Sequence, residues 1–146
     1  MKIRVLAAAV AGALVIFVLG YLIYGLLLVS YLKDNMNQYA GLNKEPMPDF
    51  VPLFLSNLVV AFLLAFIFEY WAKVRTFVGG LKSAAIIMFL IALSKDLSFL
   101  GYMNLFKGFT PVVVDVLGET VRVAIAGGVI GKVLGLMSKE GETAVQ

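Results

Sequence analysis

Cysteine and histidine are both absent from the 146 residues of the sequence. Without cysteine the chain has no disulfide bond, no thiol nucleophile and no thiolate ligand for zinc or an iron–sulfur cluster. Without histidine it lacks the residue that most often binds haem, zinc and copper, and that most often acts as the general base of nucleophilic hydrolysis. We therefore expect no cofactor, no metal site and no catalytic residue, and we expect that the protein is not an enzyme.

Charged residues are scarce as well, at 14% of the chain, whereas 62% of the residues are hydrophobic. A water-soluble domain of this size needs more polar residues to cover its surface. The composition therefore predicts an integral membrane protein whose first partner is the lipid bilayer. The net charge of only +3 fits contact with anionic headgroups better than contact with nucleic acid, which we do not expect as a partner.

The hydrophobic residues form four long runs, and about 20 apolar residues suffice for a helix to cross the hydrocarbon core. The first run is charged only at its start, like a signal peptide. It is far longer than the roughly 7 to 15 apolar residues of a signal peptide, so we expect it to be retained as a helix. We predict a single membrane domain over residues 1–146, with an external loop at 33–51 and a polar tail at 138–146. The predicted spanning helices are 5–32, 53–72, 83–106 and 111–137.

The basic residues are divided unevenly between the two sides that four crossings define. Seven lie on the side of the N-terminus and three lie on the opposite side, which is the bias described by the positive-inside rule. The sequence thus predicts an all-α fold, a transmembrane four-helix bundle with the N-terminus and the C-terminus cytoplasmic. The seven residues are Lys2, Arg4, Lys73, Arg75, Lys82, Lys132 and Lys139, and the three are Lys33, Lys44 and Lys107.

Apart from Lys132, five charged residues fall inside the predicted third and fourth helices. Lys95 and Asp96 interrupt the third helix, and Asp115, Glu119 and Arg122 lie along one stripe of the fourth. Counted from the predicted helix ends, all of them except Asp115 lie about 12 to 17 Å deep. Antiparallel neighbours joined by a short turn bring such charges together. We therefore predict an intramembrane charge network in which Lys95 pairs with Glu119 and Asp96 pairs with Arg122.

This predicted network has one more carboxylate than it has cations, and two assignments of the surplus are open. In the first, Asp115 stays ionised near the headgroups, four residues beyond Pro111. In the second, Glu119 is a protonatable carrier group or a cation site inside a polar cavity. The residues expected to line such a cavity are Ser94, Ser98, Asn57 and Asn104.

Glu69 and Lys73 lie four residues apart near the predicted end of the second helix, in the order that favours an ion pair. The neighbouring Tyr70 and Trp71 are typical of the aromatic belt at a membrane interface. We interpret Glu69 and Lys73 as an interfacial pair rather than as catalytic residues.

Glycines recur at helical spacing in the first and last predicted helices. Gly127, Gly131 and Gly135 follow one another every four residues, and Gly12 and Gly20 lie on the first helix. Small residues at such intervals let another helix backbone approach closely. We therefore predict that these five glycines are helix-packing sites.

Two segments of the chain carry a resemblance to known proteins. They are Val18–Gly25, with the letters VLGYLIYG, and Gly127–Gly131, with the letters GGVIG. They resemble the small four-helix bacterial integral membrane proteins collected as a family of unknown function. Members of that family often carry Trp-Tyr-Gly where this chain has Ile23-Tyr24-Gly25. The resemblance implies a multi-pass protein of the cell inner membrane, and it supplies no activity or site residue.

These features together predict a small integral membrane protein with an accessory or scaffolding role. It would pack through its glycine-rich helix faces into a homo-oligomer or a larger membrane complex. The alternative is a proton- or cation-coupled small transporter that acts as a homodimer around the intramembrane charge network. Two copies are invoked for the alternative because four short helices enclose little volume.

Overall fold

The computed structural model describes the backbone of residues 2–143 and the side chains of residues 2–138. This part of the chain is helical apart from its loops and an isolated bridge between Met36 and Phe106, so the predicted all-α class is confirmed for it. Two π-helical segments, Tyr21–Leu27 and Ile67–Trp71, continue the first and third α-helices. The α-helices are α1 at Ile3–Gly20, α2 at Val29–Asn35, α3 at Phe50–Phe66, α4 at Phe77–Tyr102 and α5 at Thr110–Thr143.

Three helical segments are long and apolar enough to cross a membrane: Ile3–Leu27, Phe50–Trp71 and Phe77–Tyr102. Large apolar side chains cover their outer surfaces, and Val59 and Ile86 are 68% and 64% exposed. Apolar surface of this extent is unfavourable in water and favourable in hydrocarbon. The exposed surface is therefore suited to contact with lipid.

The loop between α2 and α3 is shorter than the predicted 33–51. Helix α2 continues to Asn35 and α3 begins at Phe50. The carboxylate of Asp49 accepts a hydrogen bond of 3.2 Å from the backbone N–H of Val51, which caps the start of α3. Asp49 therefore sets where the second long apolar segment begins.

Helix α4 differs most from the sequence prediction, which placed it at 83–106. It begins at Phe77, because the hydroxyl of Thr76 accepts a hydrogen bond of 3.1 Å from the backbone N–H of Gly79 and caps the helix. It ends at Tyr102, four residues before the predicted end. The backbone becomes extended at Met103. The backbone carbonyl of Asn104 then accepts hydrogen bonds from the side chains of Asn37 and Tyr39. The helix thus begins six residues earlier and ends four residues earlier than predicted.

Helix α5 is longer than the predicted 111–137. It runs from Thr110 to Thr143, so the predicted polar tail at 138–146 is helical up to Thr143. Residues 144–146 lie outside the described part of the chain, as does the side chain of Lys139.

Each long helix runs antiparallel to the long helix that follows it along the chain. Arg4 donates a hydrogen bond of 2.9 Å to the hydroxyl of Ser138, so α1 starts where the described side chains of α5 end. The turn between α3 and α4 lies at this same end, since Lys2 contacts Glu69. We call this the amino end of the fold, and we call the opposite end, which carries the loop 36–49, the loop end. The largest contact between helices joins α4 to α5, and α1 packs on both α3 and α5.

The five glycines predicted as packing sites all lie against other parts of the same chain. Gly127 and Gly131 of α5 face Gly80 of α4, and Gly135 faces the backbone of Arg75. On α1, Gly12 faces the side chain of Ile130 of α5, and Gly20 faces the side chain of Arg122 of α5. Because these neighbours belong to the same chain, the glycine faces are already covered by intramolecular packing.

Candidate functional site

The predicted charge network is divided into two separate clusters. In the first, Lys95 lies 3.2 Å from the carboxylate of Asp96 and 3.3 Å from the carboxylate of Asp115. Asp96 is 0% exposed, whereas the side chain of Lys95 is 42% exposed. One ammonium group is therefore shared between two carboxylates, and one of these carboxylates is fully buried.

The predicted pairs of Lys95 with Glu119 and of Asp96 with Arg122 are wrong. The described side chains join Lys95 to Asp115 instead, one helical turn earlier along α5. The cause is the end of α4, which lies four residues before the predicted end and so shifts its charges by about 6 Å. Measured from the observed helix ends, Asp96 and Asp115 are both about 8 to 9 Å deep, and Glu119 is about 14 Å deep.

The second cluster is an ion pair within α5. The Nη2 atom of Arg122 lies 2.8 Å and 2.7 Å from the two carboxylate oxygens of Glu119. The guanidinium also lies over the ring of Tyr24, with its carbon 5.6 Å from the ring centroid, and the Tyr24 hydroxyl donates a hydrogen bond of 3.1 Å to the backbone carbonyl of Asp115. The Nε atom of Arg122 is buried and has no hydrogen-bond partner. The guanidinium is therefore only partly satisfied by its own helix.

Gly20 makes room for this guanidinium. A Cβ atom at Gly20 would lie 2.6 Å from the Nη1 atom of Arg122. Any other residue at this position would push the guanidinium away from α1. Gly20 therefore sets the position of a charged group as well as the distance between two helices.

A cavity of about 740 Å³ lies beside the Glu119–Arg122 pair, between the loop-end half of α1, the start of α3 and the middle of α5. Binding sites for small molecules usually measure about 300 to 1,000 Å³ and combine apolar walls with a few polar groups. The cavity has this character, with aromatic and aliphatic walls and the ion pair as its strongest polar feature. Its lining residues are Phe17, Gly20, Tyr21, Tyr24, Gly25, Pro48, Phe50, Leu53, Ser56, Asn57, Glu119 and Arg122.

The residues predicted to line a polar cavity around Glu119 are only partly brought together. Asn57 lines the cavity and is buried. Ser94 and Ser98 lie on α4, where the Ser98 hydroxyl donates to the Ser94 carbonyl, and Asn104 lies in the connection to α5. The prediction was wrong for these three residues because it considered their depth in the membrane and not the side of the helix on which each one lies.

A further charged cluster at the amino end was not predicted. Glu69 is 0% exposed, and its Oε1 atom accepts hydrogen bonds of 2.9 Å from Lys2 and 3.0 Å from Arg4. Its Oε2 atom lies 2.7 Å from the guanidinium of Arg75. We call Glu69, Lys2, Arg4 and Arg75 the Glu69 cluster. It ties the start of α1 to the turn between α3 and α4 and closes the amino end of the fold.

The predicted interfacial ion pair of Glu69 with Lys73 is also wrong. Lys73 donates a hydrogen bond of 3.2 Å to the backbone carbonyl of Glu69, while the carboxylate points to the other three cations. A signal for this arrangement was present in the sequence. Glu69 lies at an end that carries Lys2, Arg4 and Arg75, so a buried carboxylate there had several candidate partners.

The described residues bring no three carboxylate or imidazole side chains together as metal ligands. What the cavity offers is hydrogen-bond donors, from the guanidinium of Arg122, surrounded by aromatic walls. An apolar molecule with an acceptor at one end is complementary to such a site.

No family model, no curated protein and no solved structure matches the chain. The resemblance to the small four-helix bacterial membrane proteins therefore stays a prediction.

Proposed function

We propose that the chain is a small carrier of the cell inner membrane that binds an amphipathic molecule in the cavity beside Glu119 and Arg122. In this proposal all four long helices, α1, α3, α4 and α5, cross the membrane. Both termini are cytoplasmic, and the loop end faces the outside. The antiparallel order of the helices and the excess of basic residues at the amino end support this topology.

The observation that carries the proposal is the partly satisfied guanidinium of Arg122 in a cavity whose walls are mainly aromatic and aliphatic. The buried Nε atom is closed to a ligand, but the Nη1 atom is neither buried nor hydrogen-bonded to a described residue, so a ligand can supply an acceptor to it. Glu119 already accepts two hydrogen bonds from one nitrogen of Arg122, so the free donors belong to the rest of the guanidinium. The described protein groups supply no acceptor for these remaining donors.

The chemistry of the walls defines the class of ligand. Phe17, Tyr21, Tyr24 and Phe50 present aromatic surface to the cavity, and Arg122 presents donors. The complementary ligand has an apolar, preferably aromatic, body and a polar end with acceptor oxygens, such as a carboxylate or a sulfonate. Arg122 is the residue that recognises the polar end, and Tyr24 holds the guanidinium in place.

The two ends of the fold differ in a way that suits a carrier. The cavity lies toward the loop end, where Tyr21 and Phe50 of its wall are exposed. Toward the amino end the helices are in close contact, with Gly12 against Ile130, and the Glu69 cluster closes them. This arrangement corresponds to an outward-open state, from which transport would require the amino end to open.

Association with a second protein stays a prediction. The accessory role was based on the glycine faces, and those faces are occupied within the chain. The geometry therefore supports the carrier better than it supports the scaffold. A single chain already encloses the cavity, so the carrier does not depend on a homodimer.

Binding of an aromatic anion tests the proposal. We expect benzenesulfonate to raise the unfolding temperature of the protein in lipid nanodiscs, because its oxygens accept hydrogen bonds from Arg122. Charge-assisted hydrogen bonds contribute about 1.5 to 3 kcal/mol, so Arg122→Gln should weaken the binding by about 10- to 100-fold. Proteoliposomes should take up labelled benzenesulfonate faster with the wild type than with this variant.

Two controls make the result specific. Lys132→Gln makes a similar change on the same helix, at an exposed position outside the cavity, and should leave binding unchanged. Benzyltrimethylammonium has a similar ring and the opposite charge, and it should not bind. Preference for this cation, or equal binding of the anion by the Arg122→Gln variant, would refute recognition through Arg122. Binding without uptake would retain the site and reject the carrier.

A further inference from the structure

The buried carboxylate of Asp96 has no role in the cavity. It is 0% exposed, and neither of its oxygens has a hydrogen-bond partner. Its Oδ1 atom lies 3.2 Å from the ammonium of Lys95, and that ammonium is shared with Asp115. Among the described side chains, Lys95 is the one cation that pairs with Asp96. A full negative charge on Asp96 therefore has little to stabilise it.

We propose that Asp96 and Asp115 hold one exchangeable proton between them, so that the contact between α4 and α5 is a proton-binding site. This inference goes beyond the proposed function, because the site lies outside the cavity and needs no ligand. It also assigns the surplus carboxylate of the membrane interior to the Asp96–Asp115 pair instead of to Glu119.

The charged and titratable groups facing the site are few. From α4 there is Lys95, and from α5 there are Asp115 and, one turn deeper, Glu119 with Arg122. From the π-helical segment there is Tyr24, whose hydroxyl donates to the Asp115 backbone carbonyl. The charge of Arg122 is balanced by Glu119, whose two oxygens contact its Nη2 atom, so Arg122 does not neutralise the aspartates. Lys95 alone faces two carboxylates, and one proton balances the charge.

A proton fits this site better than a metal ion. A calcium ion takes about six to eight oxygen ligands, and the described residues bring no group of three acidic side chains together. A proton needs a single oxygen of Asp96 or Asp115. On release, the carboxyl O–H bond breaks, the proton passes to a water molecule as acceptor, and both carboxylates are left ionised.

The proton site adjoins the cavity through a single residue. Tyr24 lines the cavity, and its hydroxyl donates to the backbone of Asp115, whose carboxylate contacts Lys95. Loss of the proton adds a negative charge next to this hydrogen bond. The charge of the aspartate pair can therefore affect Tyr24, which belongs to the cavity wall that would contact an anionic ligand.

Infrared spectroscopy of the protein in lipid tests the proton directly. At neutral pH the wild type should show the carbonyl band of a protonated carboxyl group. Isotopically labelled aspartate should shift this band, labelled glutamate should not, and transfer into deuterium oxide should shift it because the proton exchanges. The labelled wild type makes the test independent of whether any variant folds.

Variants then locate the proton. Asp96→Asn and Asp115→Asn should each abolish the band, because Lys95 neutralises the one aspartate that remains. Glu119→Gln should retain it. Absence of the band in the wild type, its response to labelled glutamate, or its loss only in Glu119→Gln would overturn the proposal. The measurement uses no ligand, so it can fail or succeed whatever the outcome for benzenesulfonate.

Discussion

Replacing Glu69 by glutamine is expected to lower the free energy of unfolding by about 3 kcal/mol, the lower part of the range for breaking buried ion pairs. Glu69 is fully buried between Lys2, Arg4 and Arg75, and glutamine leaves three cations together with no anion. The lower part of the range applies because Lys2 and the two arginines keep partial contact with solvent. Denaturant unfolding in mild detergent measures the change.

Two further variants separate the ion cluster from the general effect of losing an acid. Glu45→Gln removes a carboxylate from the exposed loop at 36–49 and should change stability by less than about 0.5 kcal/mol. Adding Arg4→Gln to Glu69→Gln should restore part of the lost stability, because it removes one of the mutually repelling cations. If Glu69→Gln is as stable as Glu45→Gln, the Glu69 cluster does not hold the amino end together.

Replacing Gly80 by alanine is expected to destabilise the contact between α4 and α5 by about 1 to 3 kcal/mol, the usual cost of overpacking a close contact. The added Cβ atom would overlap the backbone carbonyl oxygen of Gly127, which is part of a helix and cannot turn aside. The two helices must therefore separate, and the close approach along Gly127 and Gly131 is lost. The unfolding midpoint of the purified variant should fall accordingly.

Gly101→Ala is the matched control, since Gly101 lies on the same helix and has no other atom within 4 Å of an added Cβ. Alanine has a higher helix propensity than glycine, so this variant should be unchanged or more stable by up to about 1 kcal/mol. A Gly80→Ala protein as stable as Gly101→Ala would mean that the helices do not pack through Gly80.

The sequence contains enough information to predict the helical class, because composition and long apolar runs determine it with little help from tertiary contacts. The bounds of α4 were harder to predict. Gly79 and Gly80 resemble a turn in sequence, but Thr76 caps the helix before them, and Gly80 packs against the backbone of Gly127 in α5. Which charged residues of α4 and α5 lie at the same depth depends on where α4 ends. An error of one turn at that end moved the predicted partner of Lys95 from Asp115 to Glu119.

Interactions between distant parts of the chain account for the remaining differences. Glu69 has a nearby cation at Lys73, and local spacing favours that pair. The actual partners at Lys2 and Arg4 lie 67 and 65 residues away, so only the tertiary fold brings them together. The cavity is also formed by tertiary contacts. Its walls come from α1, the π-helical segment after it, the loop, α3 and α5, and no local pattern in any of them marks the others.

In the proposed carrier, the cavity contains water and opens at the loop end, on the outer side of the membrane. The chain has no cysteine, so single cysteine variants can be labelled without background. Ser56 lines the cavity, whereas its neighbour Leu55 lies at a similar depth, is 52% exposed and does not line the cavity, so it would face lipid. A thiol reacts as its thiolate, which forms in water and not in hydrocarbon.

The decisive measurement is the reaction of Ser56→Cys and Leu55→Cys with a membrane-impermeant maleimide added from outside the cell. We predict that Ser56→Cys is labelled and that Leu55→Cys is not. Equal labelling of both variants, or no labelling of Ser56→Cys, would contradict an outward-open cavity leading to Arg122.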